Sequence, residues 1–165
     1  MPTVLHVGCG RQPLPEWLDG HDEVRLDIDP GVEPDIIASM TDLGDIGPFD
    51  VLYTSHTLEH LYPDEVPIAL AEFRRVLKPG GFATIIVPNL DGILPTEDVV
   101  YEAPSGPVCG LDMYYGAGSR IGNNRYMAHH CGFVPSTLKA VVDQAGFARN
   151  EVTTSNFNLL AVAVA

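Results

Sequence analysis

The chain has 165 residues, enough for one domain with a single hydrophobic core. Hydrophobic residues make up 45% and charged residues 19%, a composition that excludes an intrinsically disordered chain. The formal net charge of −13 disfavours a nucleic-acid partner, because an acidic surface repels phosphate backbones. The few basic side chains, such as Arg120 and Arg125, form only thin local patches.

The start of the chain and its cysteines indicate a cellular location. Residues 1–3 lead directly into an apolar strand pattern, without a basic start or a small-residue cleavage site. No apolar run reaches the roughly 18–20 residues that span a bilayer. Cys9, Cys109 and Cys131 form no C-x-x-C pair, and their odd number argues against a disulfide framework. We therefore predict a soluble cytoplasmic protein with no membrane partner.

Strand and helix patterns alternate along the chain, as in an α/β fold with a parallel sheet. Strands are predicted at 3–7, 23–28, 35–38, 49–54 and 82–87, followed by two late strands at 151–154 and 159–164. One helix is predicted from about 64 to 77, and a second from about 135 to 145 with Ser136 as its cap. The connections that follow the first two strands are short and contain prolines, so they leave no room for full helices.

The segment from 90 to 134 is rich in Gly, Pro, Tyr and Asn and has little periodicity. A loop of this length inside a compact domain is usually functional. We predict that it forms a lid over the site, within a single domain that spans residues 1–165. Tyr114 and Tyr115 either line an acceptor pocket or fill the core beneath the lid.

Two strand ends carry residues suited to binding a nucleoside. The first strand ends in Gly8-Cys9-Gly10, and glycines allow a tight turn and a close approach of backbone to ligand. Asp27 ends the second strand, where a carboxylate can accept hydrogen bonds from both ribose hydroxyls, a role that Asp29 can share or replace. Each feature by itself is also compatible with a structural role, a plain strand exit for the glycines and a solvated turn for the two carboxylates.

A longer pattern resembles the class I S-adenosylmethionine-dependent methyltransferases. The run Phe49-Asp50-Val51-Leu52 continues to His60-Leu61 and is followed by Leu77-Lys78-Pro79-Gly80-Gly81, like the F-D-x-V strand and L-K-P-G-G turn of that family. Leu5-His6-Val7-Gly8-Cys9-Gly10 and His130-Cys131-Gly132-Phe133 resemble, more narrowly, a group of small predicted bacterial methyltransferases of the methyltransferase type 11 kind. The resemblance implies a Rossmann-like class I methyltransferase fold, with a mostly parallel sheet, helices on both faces and abbreviated first connections.

The resemblance also implies a site for S-adenosyl-L-methionine. Its methionine part would lie against the glycine turn, its ribose near the end of the second strand, and its sulfonium near the end of the fourth. The cofactor-binding residues expected from it are Gly8, Cys9, Gly10, Asp27, Ile28, Asp29, Met40, Thr41, Asp42, Ser55 and His56. His6, Gln12 and Ser39 depart from the family pattern and leave open a catalytically weak S-adenosylmethionine-binding accessory module.

The implied activity is transfer of a methyl group to an O or N atom of a small-molecule or sugar-like acceptor. A hydroxyl acceptor benefits from a general base. The candidate catalytic residues are His56, His129 and His130, because an unperturbed histidine titrates near neutrality. His130 is also compatible with a packing role that holds the turn at Gly132 and Phe133.

The run His56-x-x-Glu59-His60 is similar to the E-x-x-E-H segment of metal-dependent small-RNA 2′-O-methyltransferases, so a metal-assisted 2′-O-methyltransferase is a further alternative. The same E-H pair also occurs in methyltransferases without a metal, and the acidic charge disfavours an RNA substrate. We therefore assign no metal ligand from the sequence. The expected partner is a small-molecule acceptor, and a homodimer or an association with a partner enzyme stays open.

Overall fold

The computed structural model describes residues 1–103 and 106–165. Its strands are Thr3–Val7 (β1), Asp22–Asp27 (β2), Ile36–Ile37 (β3), Phe49–Ser55 (β4), Leu77–Pro88 (β5), Val99–Ala103 (β6), Gly106–Cys109 (β7), Arg149–Ser155 (β8) and Asn158–Val164 (β9). Its α-helices are Val66–Arg75 (α1), Gly110–Tyr115 (α2), Gly118–Ile121 (α3) and Pro135–Gln144 (α4).

Seven strands form one sheet in the order β3-β2-β1-β4-β5-β9-β8. The first five strands of the chain pair in parallel, whereas β9 runs antiparallel to both β5 and β8. The strand order reverses between β1 and β4, because the chain builds outward on one side of β1 and then continues on the other. Ligands of doubly wound sheets bind beyond the carboxyl ends of the strands at such a reversal. The mostly parallel sheet expected from the sequence is confirmed.

The main hydrophobic core lies between one face of the sheet and the two longer helices. Ala69, Leu70 and Phe73 of α1 are buried at helical spacing, as are Leu138 and Val142 of α4. Helix α4 packs against α1, β8 and β9, so both helices cover the same face. Burial of a leucine or phenylalanine side chain contributes roughly 1.5–3 kcal/mol, and this face supplies most of the stabilising apolar contact.

The opposite face of the sheet is covered by the short 3-10 turn Glu16–Leu18. Alternate strand residues point to this side. Val4, Val51 and Tyr53 form a second apolar cluster there with Leu18 of the turn. Trp17 packs edge-on against Tyr53, with ring centroids 6.2 Å apart. Because Pro13 and Pro15 interrupt the connection between β1 and β2, the helical cover expected on this face is reduced to one turn.

The predicted strands and longer helices are confirmed, with shifted bounds. β5 begins five residues before its predicted start because Leu77 pairs with Phe49, so the turn residues after α1 are already part of the sheet edge. Ser136 does not cap α4. The first residue outside that helix is Val134, whose N–H donates to Thr137 Oγ1 at 3.0 Å. Gly146 follows the helix with φ +78°, as its position predicted.

Segment 90–134 contains more regular structure than its sequence predicts. It holds the two-stranded antiparallel sheet of β6 and β7, the short helices α2 and α3, and a 3-10 turn at Arg125–Met127. The segment returns to the carboxyl edge of the sheet, where Leu90 N–H donates to Phe133 O at 2.9 Å and His130 N–H donates to Glu59 O at 2.9 Å. Within residues 1–103 and 106–165, no helix is both long and apolar enough to cross a membrane.

Candidate active site

A cavity of about 530 Å³ opens beyond the carboxyl ends of β1, β2 and β4. The sheet forms one wall with the turn after β1, the end of β2 and the loop after β4. Segment 90–134 forms the other wall, with Arg120, Asn124, Arg125, Tyr126, Met127 and His130. The volume falls within the roughly 300–1,000 Å³ of small-molecule and cofactor sites. We call this cavity the main cleft.

The glycine turn after β1 places backbone directly on the main cleft. Gly8 has φ +65°, and an added Cβ there would lie 2.2 Å from the Thr57 side chain. Gly10 has φ +49°, and an added Cβ there would meet no atom within 4 Å. Cys9 is buried, and burial raises the pKa of its thiol. Cys9 therefore offers the cleft its backbone rather than a reactive thiolate.

Asp27 joins the end of β2 to the glycine turn. Its Oδ2 accepts a hydrogen bond from Gly10 N–H at 2.8 Å, and its Oδ1 accepts one from Asp29 N–H at 2.9 Å. Each carboxylate oxygen has a second lone pair, so the group can hold the turn and still accept hydroxyl donors from the cleft. Both Asp27 and its neighbour Ile28 line the main cleft, as predicted from their place at the strand end.

Asp29 also lines the main cleft, but both of its carboxylate oxygens are engaged. Oδ1 accepts a hydrogen bond from Gly31 N–H at 2.8 Å, and Oδ2 accepts one from the amide of Asn124 at 2.8 Å. Asn124 belongs to segment 90–134, so this bond ties the second wall of the cleft to the first. Asp29 therefore ties the two walls together, and, as in Asp27, each of its carboxylate oxygens keeps a second lone pair for a donor in the cleft.

An ionic network stands behind the glycine turn. The Arg25 guanidinium donates to Gly10 O at 2.8 Å, to Gln12 O at 3.1 Å and to Glu23 Oε1 at 3.1 Å. His6 Nδ1 lies 2.8 Å from the same Glu23 oxygen, and His6 is the partner of Arg25 in the β1–β2 register. Burial lowers the pKa of His6 despite the neighbouring carboxylate. The departures at His6 and Gln12 thus belong to one network that fixes the carbonyls of the turn.

The turn after β3 places only part of the expected cofactor contacts on the main cleft. Met40 lines the main cleft together with Ser39, whereas Thr41 and Asp42 are not among its lining residues. Asp42 is turned away because its N–H donates to Ser39 O at 3.0 Å and its carboxylate accepts from Gly44 N–H at 3.2 Å. The carboxylate predicted to border the adenine is therefore used to close a turn.

The three predicted histidines lie in different places. His56 follows β4 beside Ser55, has φ +53°, is 43% exposed at its side chain and lines the main cleft. His130 also lines the main cleft and stacks on Tyr62, with ring centroids 4.3 Å apart. His129 does not line it, because the hydrogen bond between its Nδ1 and Met113 O draws the ring to the other side of the segment.

A second cavity, of about 280 Å³, adjoins the main cleft. The residues that line both cavities are His56, His60, Arg120 and Met127. The second cavity is further lined by polar groups of Asp112, Ser119 and His129. Tyr114 and Tyr115 line neither cavity: Tyr114 donates its hydroxyl to Ile93 O at 3.0 Å, and Tyr115 is 63% exposed. The tyrosine on the main cleft is Tyr126.

Glu59 lies between these histidines on the short 3-10 turn after β4 and is only 1% exposed. Its Oε1 lies 3.6 Å from His56 Nδ1 and 4.0 Å from His129 Nε2. Burial raises the pKa of its carboxyl, but His56, His60 and His129 outweigh that effect and the pKa is lowered. The H-x-x-E-H spacing was the only sequence signal for this cluster, since His129 comes from a distant segment.

Comparison with known proteins agrees with this geometry. Residues 5–85, about half of the chain, match the family model of a methyltransferase domain. A probable methyltransferase, ltbC, of Aspergillus luteorubrus is 40% identical over 55 residues. That alignment covers 33% of this chain and 15% of the fungal protein, so the chain spans only a small part of that relative.

Solved structures with the same fold cover almost all of this chain. An S-adenosylmethionine-dependent methyltransferase from Mesorhizobium loti has a TM-score of 0.68 at 16% identity, covering 99% of this chain and 91% of that one. One from Archaeoglobus fulgidus has a TM-score of 0.65 at 16% identity, covering 99% and 86%. The 1,6-didemethyltoxoflavin-N1-methyltransferase of Burkholderia thailandensis, solved with its substrate and S-adenosylhomocysteine, has a TM-score of 0.64 at 18% identity, covering 99% and 70%.

The main cleft suits the cofactor of these proteins in its chemistry. It offers a close backbone approach at the glycine turn, a carboxylate with free lone pairs at Asp27 and an apolar contact at Met40. The strand order, the position of the cleft at its reversal point and the family match all lead to one assignment. The chain belongs to the class I S-adenosylmethionine-dependent methyltransferases, whose methyl donor is S-adenosyl-L-methionine.

Proposed function

We propose that this chain transfers a methyl group to an oxygen or nitrogen atom of a small, polar acceptor that binds in the second cavity. The observation that carries the proposal is the contact between the two cavities at His56, where the donor cleft ends and the polar cavity begins. A donor and an acceptor bound on the two sides would meet at this residue.

The sheet edge holds the donor in this proposal. The backbone of the glycine turn faces the methionine part, the free lone pairs of Asp27 accept ribose hydroxyls, and Met40 packs against the adenine. Asp29 acts indirectly, because its bond to Asn124 keeps segment 90–134 against the cleft. Excluding water in this way favours transfer to the acceptor over loss of the methyl group to solvent.

Bound S-adenosylmethionine supplies a methyl group that is already activated by its sulfonium. The protein then has to align the acceptor, an effect that lowers a barrier by roughly 7–11 kcal/mol in favourable cases. For a hydroxyl acceptor, His56 is placed to take the proton, a contribution of about 10²–10⁴-fold in rate. An amine acceptor needs no such base once it is neutral.

Polar groups around the second cavity support a polar or sugar-like acceptor. Arg120, Ser119 and Asp112 offer a guanidinium, a hydroxyl and a carboxylate to the same space. The Burkholderia protein is an N1-methyltransferase, which supports nitrogen acceptors as well. A bacterial origin and a cytoplasmic location remain predictions from the sequence.

Calorimetric titration with S-adenosylhomocysteine tests the donor site. We expect saturable one-to-one binding, and a folded protein that binds none would contradict the proposal. Methyl transfer is then measured with a panel of hydroxyl acceptors and a panel of amines. We expect His56→Gln to slow transfer to hydroxyls by about 100-fold and transfer to amines much less. Binding of S-adenosylhomocysteine without turnover on either panel would favour an accessory module instead.

A further inference from the structure

Three side chains of the metal-binding type converge behind His56. Glu59, His60 and His129 each bring one potential ligand atom within 4.8 Å of the other two. We propose that these residues bind a divalent first-row transition-metal ion. No metal ligand was assigned from the sequence. Three features of the cluster support an ion at this position.

The first feature is the buried carboxylate of Glu59. The residue is only 1% exposed, and in the described part of the chain neither of its side-chain oxygens has a hydrogen-bond partner. Ring nitrogens of His56 and His129 lie 3.6 and 4.0 Å from Glu59 Oε1, beyond hydrogen-bond distance. A buried carboxylate without a partner costs several kcal/mol, so a cation at this position would stabilise the fold.

The second feature is the orientation of the two histidines. His129 Nδ1 lies 3.0 Å from Met113 O, and His60 Nδ1 lies 3.0 Å from Ala128 O. A carbonyl oxygen only accepts, so His129 Nδ1 carries the proton and its neutral ring keeps a lone pair on Nε2. A neutral His60 that donates to Ala128 O keeps the same lone pair. Metal-binding histidines are held in this manner, with the non-ligating N–H donated to a carbonyl or carboxylate.

A doubly protonated His60 is the competing explanation. His60 Nε2 lies 3.2 Å from His56 O, so an imidazolium would donate to two carbonyls and place a positive charge near Glu59. That proton would point at the His56 carbonyl and would leave the carboxylate oxygens of Glu59 still without a donor. An ion bound by Glu59, His129 Nε2 and a ring nitrogen of His60 gives the buried carboxylate the partner that it otherwise lacks. Two imidazoles and one carboxylate suit divalent first-row transition metals.

The third feature is access. All three residues line the second cavity, so an ion can enter and keep coordination positions that face the cavity. Those positions would hold an oxygen atom of the acceptor beside His56. This role in acceptor binding rests on the proposed function, whereas binding of the ion does not.

The test uses the whole chain, stripped of metal with a chelator and dialysed. Titration with Co²⁺ is followed by its visible absorption bands, and titration with Zn²⁺ by calorimetry. We expect one equivalent of each ion to bind, and we expect Glu59→Gln and His129→Ala to weaken the affinity by about 100-fold or more. His21→Ala is the matched control, since His21 precedes β2 at the opposite edge of the sheet, and it should bind like the wild type.

Binding of S-adenosylhomocysteine is measured on the same samples to separate this proposal from the proposed function. A wild-type protein that binds the cofactor analogue but shows no saturable Co²⁺ binding overturns the metal site alone. Unchanged metal affinity in both cluster variants also overturns it. If the variants do not fold, proton NMR of the wild type decides. Co²⁺ should shift the imidazole signals of His60 and His129 and leave those of His21 in place, and the opposite pattern overturns the site.

Discussion

The two walls of the main cleft are held in different ways. On the sheet side, Asp27 holds the glycine turn through bonds to Gly10 and Asp29, which lie 17 and 2 residues away. On the other side, segment 90–134 is held by bonds that span 68 residues, from His60 to Ala128, and 95 residues, from Asn124 to Asp29. The donor wall is therefore preformed by its own strands, whereas the acceptor wall depends on how a long segment docks.

Removing the Asp27 carboxylate tests the preformed wall and should have the largest effect. Asp27→Ala leaves the N–H groups of Gly10 and Asp29 without acceptors and deletes the acceptor for ribose. Hydrogen bonds to charged groups contribute about 1.5–3 kcal/mol each, so we expect the affinity for S-adenosylhomocysteine to fall by about 100-fold in calorimetry. Asp19→Ala, an exposed change, is the control. Wild-type affinity in Asp27→Ala would show that the wall is not organised by this side chain.

A pair of glycine variants separates backbone strain from close contact in the same turn. Gly8→Ala and Gly10→Ala both put a side chain at positive φ, which costs roughly 1–2 kcal/mol. Only Gly8→Ala also collides with Thr57. We expect the free energy of unfolding in urea to fall by about 3 kcal/mol for Gly8→Ala and by about 1 kcal/mol for Gly10→Ala. Equal losses in the free energy of unfolding would mean that the loop after β4 moves aside at little cost. The sheet-side wall of the cleft would then be less rigid than its contacts indicate.

This difference between the walls also explains what the sequence could predict. The glycine turn and Asp27 occupy strand ends, Met40 follows three residues after β3, and strand ends of a parallel sheet meet at one edge whatever the loops do. Their place on the cleft followed from hydrophobic alternation and from the strand order that the family resemblance implied. Thr41 and Asp42 do not line the main cleft, because side-chain and backbone bonds within a short turn reverse the chain there.

Segment 90–134 could not be interpreted in the same way, because its contacts depend on docking rather than on local pattern. The sequence indicated only thin basic patches at Arg120 and Arg125, yet both residues line the main cleft. The sequence left Tyr114 and Tyr115 open between an acceptor pocket and the core beneath the lid, and neither residue lines the main cleft or the second cavity. The neighbours His129 and His130 face different cavities, a division that periodicity does not encode because the segment there is neither strand nor helix.

Two adjacent asparagines offer a matched test of the docked wall. Asn124 bonds to Asp29 across the cleft at 2.8 Å, whereas Asn123 bonds within its own segment to Ser119 O at 3.1 Å. A single hydrogen bond is worth about 0.5–1.5 kcal/mol, so Asn124→Ala should weaken S-adenosylhomocysteine binding by about threefold to tenfold. In the Asn124→Ala variant, the backbone amide hydrogens near residues 118–128 should also exchange with solvent faster than in the wild type. Asn123→Ala should leave the affinity unchanged, and equal effects of both variants would contradict a specific contact across the cleft.

The smallest expected effect is the pH dependence of stability that arises in the network behind the glycine turn. Burial lowers the pKa of His6 below its ordinary 6.5, so the folded state favours the neutral ring. The unfolded chain takes up the proton first as the pH falls, and the stability that neutral His6 contributes is present above about pH 6.5 and is lost below it.

A variant that cannot titrate isolates this contribution. His6→Gln keeps a neutral donor that can reach Glu23 but has no titrating ring. We expect the free energy of unfolding to fall less steeply between about pH 7 and pH 5 in His6→Gln than in the wild type, measured by urea unfolding at each pH. His129, whose pKa burial also lowers, remains in both proteins and cancels in the comparison. If the free energy of unfolding falls equally with pH in both proteins, then the attraction of Glu23 offsets the cost of protonating buried His6. The network behind the glycine turn would then persist when His6 is charged.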